Sequence, residues 1–384
     1  MEAYLDNSAT TRPSSEVTAA ILQGLNEVYG NPSSLHHQGF VAEKALKEAR
    51  QSIASALGAT PEEIVFTSGG TEANNLGILG VLPGLGRRGK RVITCRTEHL
   101  SVLNVFRHLE TKGYQVVYLK VNRLGLIDPA ELEAALTADT ILASVMLVNN
   151  EIGTIQPIAA IAKLLKSSPA GPVFHVDAVQ AFGKIDCRVN KLGVDLLTIS
   201  GHKIHGPKGV GALYVRRGIR LAPLFYGGGQ ENGLRPGTEN LPGILGMGAA
   251  SQQASANLAA NAAKLRELKG QLAGGISRNI RDIRINSPAD PIGAPHILNV
   301  SFPGLKAEVL LHALARDGIY VSTGSACAAK KGPTSHVLQA TGLTGPESAI
   351  RFSLSPDNTP EEIDYCLERL QYHVNDLRRF AGKI

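Results

Sequence analysis

Five short runs of apolar, mostly β-branched residues divide the first half of the sequence, and most of the gaps between them leave room for a helix. Apolar residues that follow one another without alternation are typical of strands covered on both faces. The pattern therefore predicts a mostly parallel α/β sheet with helices on both sides. The runs are Ile64 to Thr67, Arg91 to Cys95, Ile141 to Val148, Val173 to Val176 and Leu196 to Ile199.

Polar residues follow directly after each of these runs. In an open parallel sheet the ligand binds outside the carboxyl ends of the strands, so we expect the polar residues to converge in one crevice. Packing alone does not explain five polar strand ends. The clusters are Ser68 to Glu72, Glu98 with His99, Asn149 to Glu151, Asp177 with Gln180, and Ser200 to Lys203.

Lys203 ends the tetrapeptide Ser200-Gly201-His202-Lys203, directly after the last run. A lysine at the carboxyl end of a buried strand has a rigid support beside the crevice, where it could form a Schiff base with an aldehyde cofactor. Taken alone, the tetrapeptide is more typical of an exposed lysine in a turn, because most lysines lie at the surface. The other four clusters favour the catalytic interpretation.

The segment Ser68-Gly69-Gly70-Thr71 lies between a predicted strand and a predicted helix. Its glycines let the backbone approach a ligand closely, and the start of the helix offers free N–H groups beside a hydroxyl. This combination predicts a phosphate-binding site, with a simple helix-capping turn as the alternative. Two other glycine-rich segments, at 84–89 and 206–211, lack the context of a dinucleotide motif and of a P-loop.

Asp177 follows the fourth run and would lie at the bottom of the crevice. A carboxylate there can pair with a protonated pyridine nitrogen, which makes a pyridoxal ring an electron sink; capping of the next helix is the alternative. His99 could stack on such a ring, although a lone histidine at a strand end is more often structural. No carboxylate or cysteine shares the spacing of His202 and His205, so we expect no metal site.

Four cysteines are widely spaced, which indicates neither a disulfide framework nor a zinc site and favours a reducing cytoplasm. Cys327 differs from the others because it lies among small residues and precedes Lys330 and Lys331, which favour a reactive thiolate. We therefore expect Cys327 to be a nucleophile. Cys95 at a strand end and Cys366 in a predicted helix are expected to be small core residues.

The C-terminal third predicts a second domain. A helical pattern from Gln253 to Leu272 would lead into it, and further strands and helices follow to the end of the chain. Thr359-Pro360-Glu361-Glu362 combines an N-cap, a first-position proline and a capping-box glutamate, which predicts the start of the last helix.

Composition restricts the class of protein. The longest apolar stretch, Ile141 to Val148, is too short to span a membrane, and the first residues do not resemble a signal peptide. The net charge of +6 comes from scattered rather than clustered basic residues, so we expect a solvated surface and no direct binding of nucleic acid.

Six motifs together resemble the cysteine desulfurases, which are NifS/IscS-like pyridoxal phosphate enzymes of aminotransferase class V. The resemblance covers essentially the whole chain. The motifs are Tyr4 to Thr11, Thr67 to Asn75, Asn149 to Gly153, Ser200 to Lys203 with Gly206 to Gly209, Arg235 to Thr238, and Ser325 to Cys327.

The resemblance implies an α/β homodimer with the fold type I of pyridoxal phosphate-dependent transferases. A large domain with a mostly parallel seven-stranded sheet would cover residues 14–255. A smaller α+β domain, formed by residues 1–13 and 256–384, would carry the loop with the catalytic cysteine.

The resemblance also assigns roles at the cofactor. Lys203 would bind pyridoxal 5'-phosphate and later move the Cα proton of the substrate. Asp177 would pair with the pyridine nitrogen and Gln180 with the phenolic oxygen, while His99 would stack on the ring and take part in catalysis. The phosphate would be held by Gly70, Thr71, Ser200 and His202, joined by Thr238 of the other subunit.

The substrate implied is L-cysteine. Its carboxylate would be held by Asn31, by Asn150, which also borders the cofactor, and by Arg351, whose fork suits a carboxylate. Cys327 would attack the substrate sulfur and leave L-alanine and a persulfide. A selenocysteine lyase or another β-lyase with the same Lys203 and Asp177 is the alternative enzyme. An inactive cofactor-binding scaffold is disfavoured, because every expected catalytic position is filled.

The resemblance implies a protein acceptor for the sulfur, serving tRNA thiolation, thiamine synthesis or iron–sulfur cluster assembly. Two departures from the family pattern bear on this choice: Ala328-Ala329 and then Lys330-Lys331 follow the cysteine in place of Thr-Ser, and the sequence stops at Ile384 without a longer tail. From these departures we expect a sulfur carrier or a tRNA-thiolation enzyme rather than a cluster scaffold.

Overall fold

Seven strands form the central sheet in a computed structural model that describes residues 1–86, 88–324, 335–343 and 348–381. The strand order is β2-β8-β7-β6-β5-β3-β4, and only β8 runs antiparallel to its two neighbours. The predicted sheet is therefore confirmed. Its strands are β2 (Ile64–Thr67), β3 (Arg91–Cys95), β4 (Gln115–Leu119), β5 (Thr140–Met146), β6 (Val173–Asp177), β7 (Leu196–Ser200) and β8 (Gly211–Val215).

Two strands of the sheet, β4 and β8, lie outside the five apolar runs, and β4 is at the edge of the sheet. Its first four residues are exposed or only half-buried, so its sequence lacks the continuous apolarity of the inner strands. All seven residues of β5, in contrast, are buried.

Helices cover both faces of the sheet. Within β2, Ile64 and Phe66 pack into one hydrophobic core while Val65 packs into the other, as the alternation of a strand requires. The helices of this part are α1 (Ser15–Asn26), α2 (His37–Leu57), α3 (Gly70–Leu85), α4 (Leu100–Thr111), α5 (Pro129–Ala135), α6 (Ile158–Ser167), α7 (Val189–Leu192) and α8 (Leu241–Ala256).

The single helix predicted from Gln253 to Leu272 is wrong. The structure has two helices, α8 and α9 (Leu258–Asn279), separated at Asn257, whose φ of −104° and ψ of 8° are not helical. Both the backbone N–H and the side-chain amide of Asn257 donate to the Gln253 carbonyl, so this residue terminates α8.

A second core lies around a three-stranded antiparallel sheet with the order β12-β10-β9. Ala3 and Leu5 of the N-terminal segment belong to this core, and β1 (Ala3–Tyr4) pairs with β11 (Ile319–Tyr320). The predicted domain boundaries stay a prediction. The other elements are β9 (Arg284–Ile285), β10 (Ile297–Ser301), α10 (Ala307–Arg316), α11 (His336–Ala340), β12 (Ala349–Ser353) and α12 (Pro360–Ala381).

The capping box predicted for the last helix is present. The Glu362 N–H donates to Thr359 Oγ1 at 3.3 Å, and the Thr359 N–H donates to Glu362 Oε2 at 3.3 Å. No helix in the described ranges has the length and apolarity that are needed to cross a bilayer.

Candidate active site

A cavity of about 220 Å³ lies where the polar strand ends meet. Each of the five predicted clusters contributes at least one lining residue, and the cluster after β3 contributes His99. Arg351 of β12 closes the cavity from the second sheet. The lining residues are Ser8, Ala9, Gly70, Thr71, Asn74, His99, Ser101, Met146, Asn150, Asp177, Val179, Gln180, Ser200, His202, Lys203 and Arg351.

The start of α3 forms one end of the cavity. The helix begins at Gly70 after Gly69, whose φ of 153° favours glycine, and a Cβ on residue 70 would lie 2.8 Å from Val179 Cγ2. Ser200, across from this turn, is buried, and its Oγ has no hydrogen-bond partner among the described residues. Free helix N–H groups beside a hydroxyl can receive an anion such as phosphate.

His202 lies beside this end of the cavity, and its Nδ1 is 3.2 Å from Thr10 Oγ1. Burial, with the charges of Lys203 and Lys208, lowers the pKa of His202 to about 4. His202 is therefore neutral at neutral pH and can serve an anion as a hydrogen-bond donor rather than as a cation.

Asp177 ends β6 and is 4% exposed. Its Oδ2 accepts a hydrogen bond of 2.8 Å from Asn74 Nδ2, and its Oδ1 accepts one of 2.9 Å from the Val179 N–H. These two donors fix the orientation of the Asp177 carboxylate. A protonated ring nitrogen is a partner that such a buried carboxylate suits.

Glu98 is 1% exposed and lies near enough to Asp177 for the two carboxyl groups to interact electrostatically. Burial raises the pKa of Glu98 well above its usual range, and the nearby Asp177 charge raises it further. Glu98 Oε1 accepts from the Met146 N–H. Glu98 was predicted as part of a cluster, but it does not line the cavity.

The Lys203 amine donates to the carbonyls of Ser8 and Ala9 at 2.6 and 2.8 Å. Gln180 Nε2 donates to the same Ser8 carbonyl at 2.9 Å, while Gln180 Oε1 has no partner among the described residues. The buried Lys184 donates to the Lys203 carbonyl at 2.7 Å. The N-terminal segment thus fixes the direction of the predicted catalytic lysine.

Arg351 is 1% exposed and is held on two sides. Its Nη2 donates to Asp6 Oδ1 at 2.7 Å and its Nη1 to the Asn150 carbonyl at 2.8 Å. The Arg351 Nε has no hydrogen-bond partner among the described residues. A buried donor without a partner at the cavity wall can receive a carboxylate.

The structure does not bring every predicted residue to this cavity. Asn31, exposed between α1 and α2, accepts from the Ser33 N–H at 2.9 Å, and Thr238 is exposed before α8. Neither residue lines the cavity within the single chain, and Cys327 lies outside the described residues.

Sequence reasoning gave no role to Asp6, Asn74 or Ser101. Asn74 follows Gly70 by four positions, which places it one helical turn further along the same face of α3, so the spacing contained the signal. Asp6 offered none, because its partner Arg351 is 345 residues away.

The three described cysteines, Cys95, Cys187 and Cys366, are buried and unpaired with one another. Burial raises the pKa of Cys95 and of Cys366 to about 12 and raises that of Cys187 as well. A thiol that stays protonated is a poor nucleophile. Cys95 and Cys366 are core residues, as predicted.

Comparisons with known proteins show the family of the chain. The family model described as Aminotransferase class-V matches residues 3–366. A protein named cysteine desulfurase IscS from Dictyoglomus turgidum is 45% identical over 382 residues, which cover 99% of this chain and 96% of that protein. A protein of the same name from Pectobacterium carotovorum is 47% identical over 382 residues, which cover 98% of this chain and 93% of that protein.

Solved structures give the same result. A NifS-like protein has a TM-score of 0.92 at 39% identity, with 98% of this chain and 100% of that chain covered. A structure described as SspA in complex with cysteine has a TM-score of 0.81 at 36% identity, with 93% and 100% covered.

The fold, the cavity at the strand ends and the family match over nearly the whole length define the class. The chain belongs to the aminotransferase class V family, and within that family its full-length relatives place it among the cysteine desulfurases. Both the resemblance and the fold class inferred from the sequence are confirmed.

Proposed function

We propose that this cavity is where the enzyme removes sulfur from L-cysteine, with pyridoxal 5'-phosphate as cofactor and Cys327 as the first sulfur acceptor. The observation that carries the proposal is the placement of Lys203, Asp177 and Arg351 around one cavity. These three side chains offer an amine for an aldehyde, a carboxylate for a ring nitrogen and a cation for a substrate carboxylate.

The polar atoms of the cavity fit this cofactor. An anionic end would meet the first turn of α3 and the unpartnered Ser200 Oγ, and Gln180, whose Oε1 is also unpartnered among the described residues, lines the same cavity. Asp177 lies at the far end of the β6 strand, where it would pair with the ring nitrogen. Bound there, pyridoxal phosphate supplies an electron sink for the negative charge left at the substrate Cα.

Each protein group then has a task. Lys203 would hold the cofactor, and its amine would take the proton from the Cα of the substrate. Arg351 binds the substrate carboxylate, and the Asn150 carbonyl and Asp6 keep the guanidinium in place. His99 lines the cavity wall, where it would stack on the cofactor ring.

The sulfur leaves the substrate by attack of the Cys327 thiolate. The new S–S bond forms as the C–S bond breaks, so the substrate carbon keeps the electron pair, is protonated and leaves as L-alanine. The high pKa values of the three described cysteines support Cys327 in this role. The persulfide sulfur then passes to a protein acceptor.

The proposal includes a homodimer in which Thr238 completes the phosphate site of the partner subunit. Large apolar side chains are exposed on α1, on α2 and between them, which is typical of a surface that a second chain covers. Thr238 itself is exposed and outside the cavity of its own chain. The exposed residues are Leu22, Leu25, Tyr29, Leu35 and Phe40.

Subunit mixing tests this arrangement. A heterodimer of Lys203→Ala and Thr238→Ala chains contains one intact site only if Thr238 acts across the interface. Mixing should therefore raise activity above that of either variant alone. Unchanged activity in a verified heterodimer would place Thr238 within its own chain.

The function is tested with purified protein, L-cysteine and a thiol reductant, with alanine and sulfide both measured. We expect equal amounts of the two products from the wild type and none from Cys327→Ala, whose cofactor absorbance should persist. Cys366→Ala is the matched control and should keep its activity. Alanine production by the Cys327 variant would contradict the proposed acceptor.

A further inference from the structure

Asn74, Ser101 and His99 form a chain of hydrogen bonds that begins at Asp177. Asn74 Nδ2 lies 2.8 Å from Asp177 Oδ2 and 2.8 Å from Ser101 Oγ. Ser101 Oγ in turn lies 2.8 Å from His99 Nδ1, and the Ser101 N–H lies 3.1 Å from the same nitrogen. Asn74 is 1% exposed, and it lines the cavity together with Asp177, Ser101 and His99.

The direction of each bond follows from its donors. An amide NH₂ group only donates, so Asn74 donates both to the Asp177 carboxylate and to the Ser101 hydroxyl oxygen. The Ser101 hydroxyl proton is then left for His99 Nδ1. The Ser101 backbone N–H also only donates, so His99 Nδ1 must accept there and cannot carry a proton.

We propose that Asn74 and Ser101 are positioning residues that hold His99 as a neutral imidazole with its proton on Nε2. The inference deepens the proposed function, because it rests on His99 facing the cofactor and the substrate. Fixing one tautomer through a hydrogen bond to the other ring nitrogen is a general way of orienting histidine.

This tautomer decides what His99 can do. The Nε2 proton lies on the ring edge that Ser101 does not occupy, so the neutral His99 at the cavity wall can donate a hydrogen bond from Nε2. Protonation at Nδ1 would break the bond from the Ser101 backbone N–H and would reverse the bond with the Ser101 hydroxyl. The Cα proton is therefore left to Lys203, and the two groups do not compete.

The charges around His99 agree with a neutral ring. Asp177 on β6 favours the charged form, while Lys203 after β7 and His336 on α11 oppose it. Burial is the largest effect and lowers the pKa of His99 below its ordinary value. The neighbouring Glu98 is buried, with a pKa raised well above its usual range.

The tautomer is measured by NMR of the holoenzyme with ¹⁵N-labelled histidine, because ring nitrogens with and without a proton have well-separated shifts. The chain has 11 histidines, and His99→Gln identifies the signal. The variants are Ser101→Ala and Asn74→Leu. Ser101→Thr keeps the hydroxyl, and Asn75→Leu is the matched control on the same helix, since the half-buried Asn75 donates to the Thr71 carbonyl.

We expect wild-type His99 to carry its proton on Nε2. In Ser101→Ala the population ratio of the Nε2-protonated to the Nδ1-protonated tautomer should fall about fivefold, because one hydrogen bond to Nδ1 is lost. The pKa of His99 should rise in the same variant. Both values should recover in Ser101→Thr. Asn74→Leu should have a similar effect, and Asn75→Leu none. A wild-type proton on Nδ1, or an unchanged ratio in Ser101→Ala, would overturn the proposal.

The NMR signal is read without substrate. A failure of the tautomer proposal is thus distinguishable from a failure of the proposed desulfuration, which the product assay on Cys327→Ala detects separately. Ser101→Ala also keeps the test valid if the buried Asn74→Leu change prevents folding.

Discussion

The Arg351 guanidinium, at the cavity wall, donates a 2.7 Å hydrogen bond to Asp6 Oδ1 across 345 residues of sequence. The Arg351 side chain is 2% exposed and that of Asp6 is 20% exposed. The ion pair ties the N-terminal segment to β12, and the same N-terminal segment accepts from Lys203 through Ser8 and Ala9. One stretch of chain therefore orients both the lysine and the arginine of the site.

Replacing Asp6 with alanine should affect both stability and substrate binding. Removing one partner of a buried ion pair leaves the other charge uncompensated, at a cost of about 3 kcal/mol in the free energy of unfolding. The KM for cysteine should rise, because Arg351 would keep only its bond to the Asn150 carbonyl. Denaturant unfolding and steady-state kinetics measure the two effects.

The exposed pair of Lys47 and Glu43 on α2 is the control. Glu43→Ala should change the free energy of unfolding by less than about 1 kcal/mol. Equal losses in the Asp6 and Glu43 variants would show that the buried pair has no special role.

Gly70→Ala should weaken cofactor binding. The new Cβ would lie 2.8 Å from Val179 Cγ2, so the first turn of α3 must move away from the cavity. We expect the Kd of pyridoxal phosphate to rise about tenfold or more, equivalent to about 1.4 kcal/mol. Gly84→Ala, near the end of the same helix, is the matched control, because its nearest neighbour is 4.0 Å away. Equal affinities of the two variants for pyridoxal phosphate would contradict a phosphate site at the first turn of α3.

Ser335→Ala should slow sulfur transfer without changing cofactor absorbance. The Ser335 hydroxyl donates to Glu151 Oε2, and a Cβ at Gly324 would lie 3.4 Å from the same oxygen. The buried Glu151 therefore binds Ser335 and lies close to Gly324, the two positions that flank 325–334, the segment that holds Cys327. Loss of one hydrogen bond should lower the rate of alanine formation about fivefold.

Ser277→Ala is the control for this change, because the Ser277 hydroxyl is exposed and donates to a carbonyl of its own helix. Rapid-mixing measurements of alanine formation compare the two variants. An unchanged rate in Ser335→Ala would separate Glu151 from sulfur transfer.

The buried His175 should make the protein less stable in acid. Burial lowers the pKa of His175 from its ordinary value of 6.5 to about 3, so between these values the unfolded chain binds a proton that the folded protein does not. Stability should therefore fall as the pH decreases below 6.5, by roughly 1.4 kcal/mol per pH unit for one such histidine.

Denaturant unfolding between pH 7 and pH 5 measures this slope. The range ends at about pH 5 because paired carboxylates begin to titrate there. His175→Gln should reduce the slope of stability against pH. Part of the slope should remain, because burial also lowers the pKa of the equally buried His296. An identical slope in the variant would contradict the assignment.

The strand ends could be predicted because both signals are local. Continuous apolar runs mark buried strands, and the polar residues directly after them, such as Asp177 and Lys203, must lie at one edge of a parallel sheet. The direction of those side chains could not be predicted, since it depends on partners distant in sequence. Ser8 binds Lys203 across 195 residues.

The remaining differences have physical causes of their own. The edge strand β4 is half-exposed and lacks the apolar run, and Asn257 ends α8 through a side-chain hydrogen bond that the helical periodicity does not reveal. Asn31 and Thr238 do not line the cavity of their own chain, and the role predicted for Thr238 depends on contacts that a single chain does not contain.

The most direct test of the account is to map the sulfur after a single turnover. The enzyme is mixed with L-cysteine without reductant, alkylated, digested and analysed by mass spectrometry, with alanine measured in parallel. We predict one added sulfur atom on the peptide with Cys327, an equal amount of L-alanine, and neither product from Lys203→Ala. Added sulfur on Cys95, Cys187 or Cys366, or alanine formed while Cys327 stays unmodified, would contradict the account.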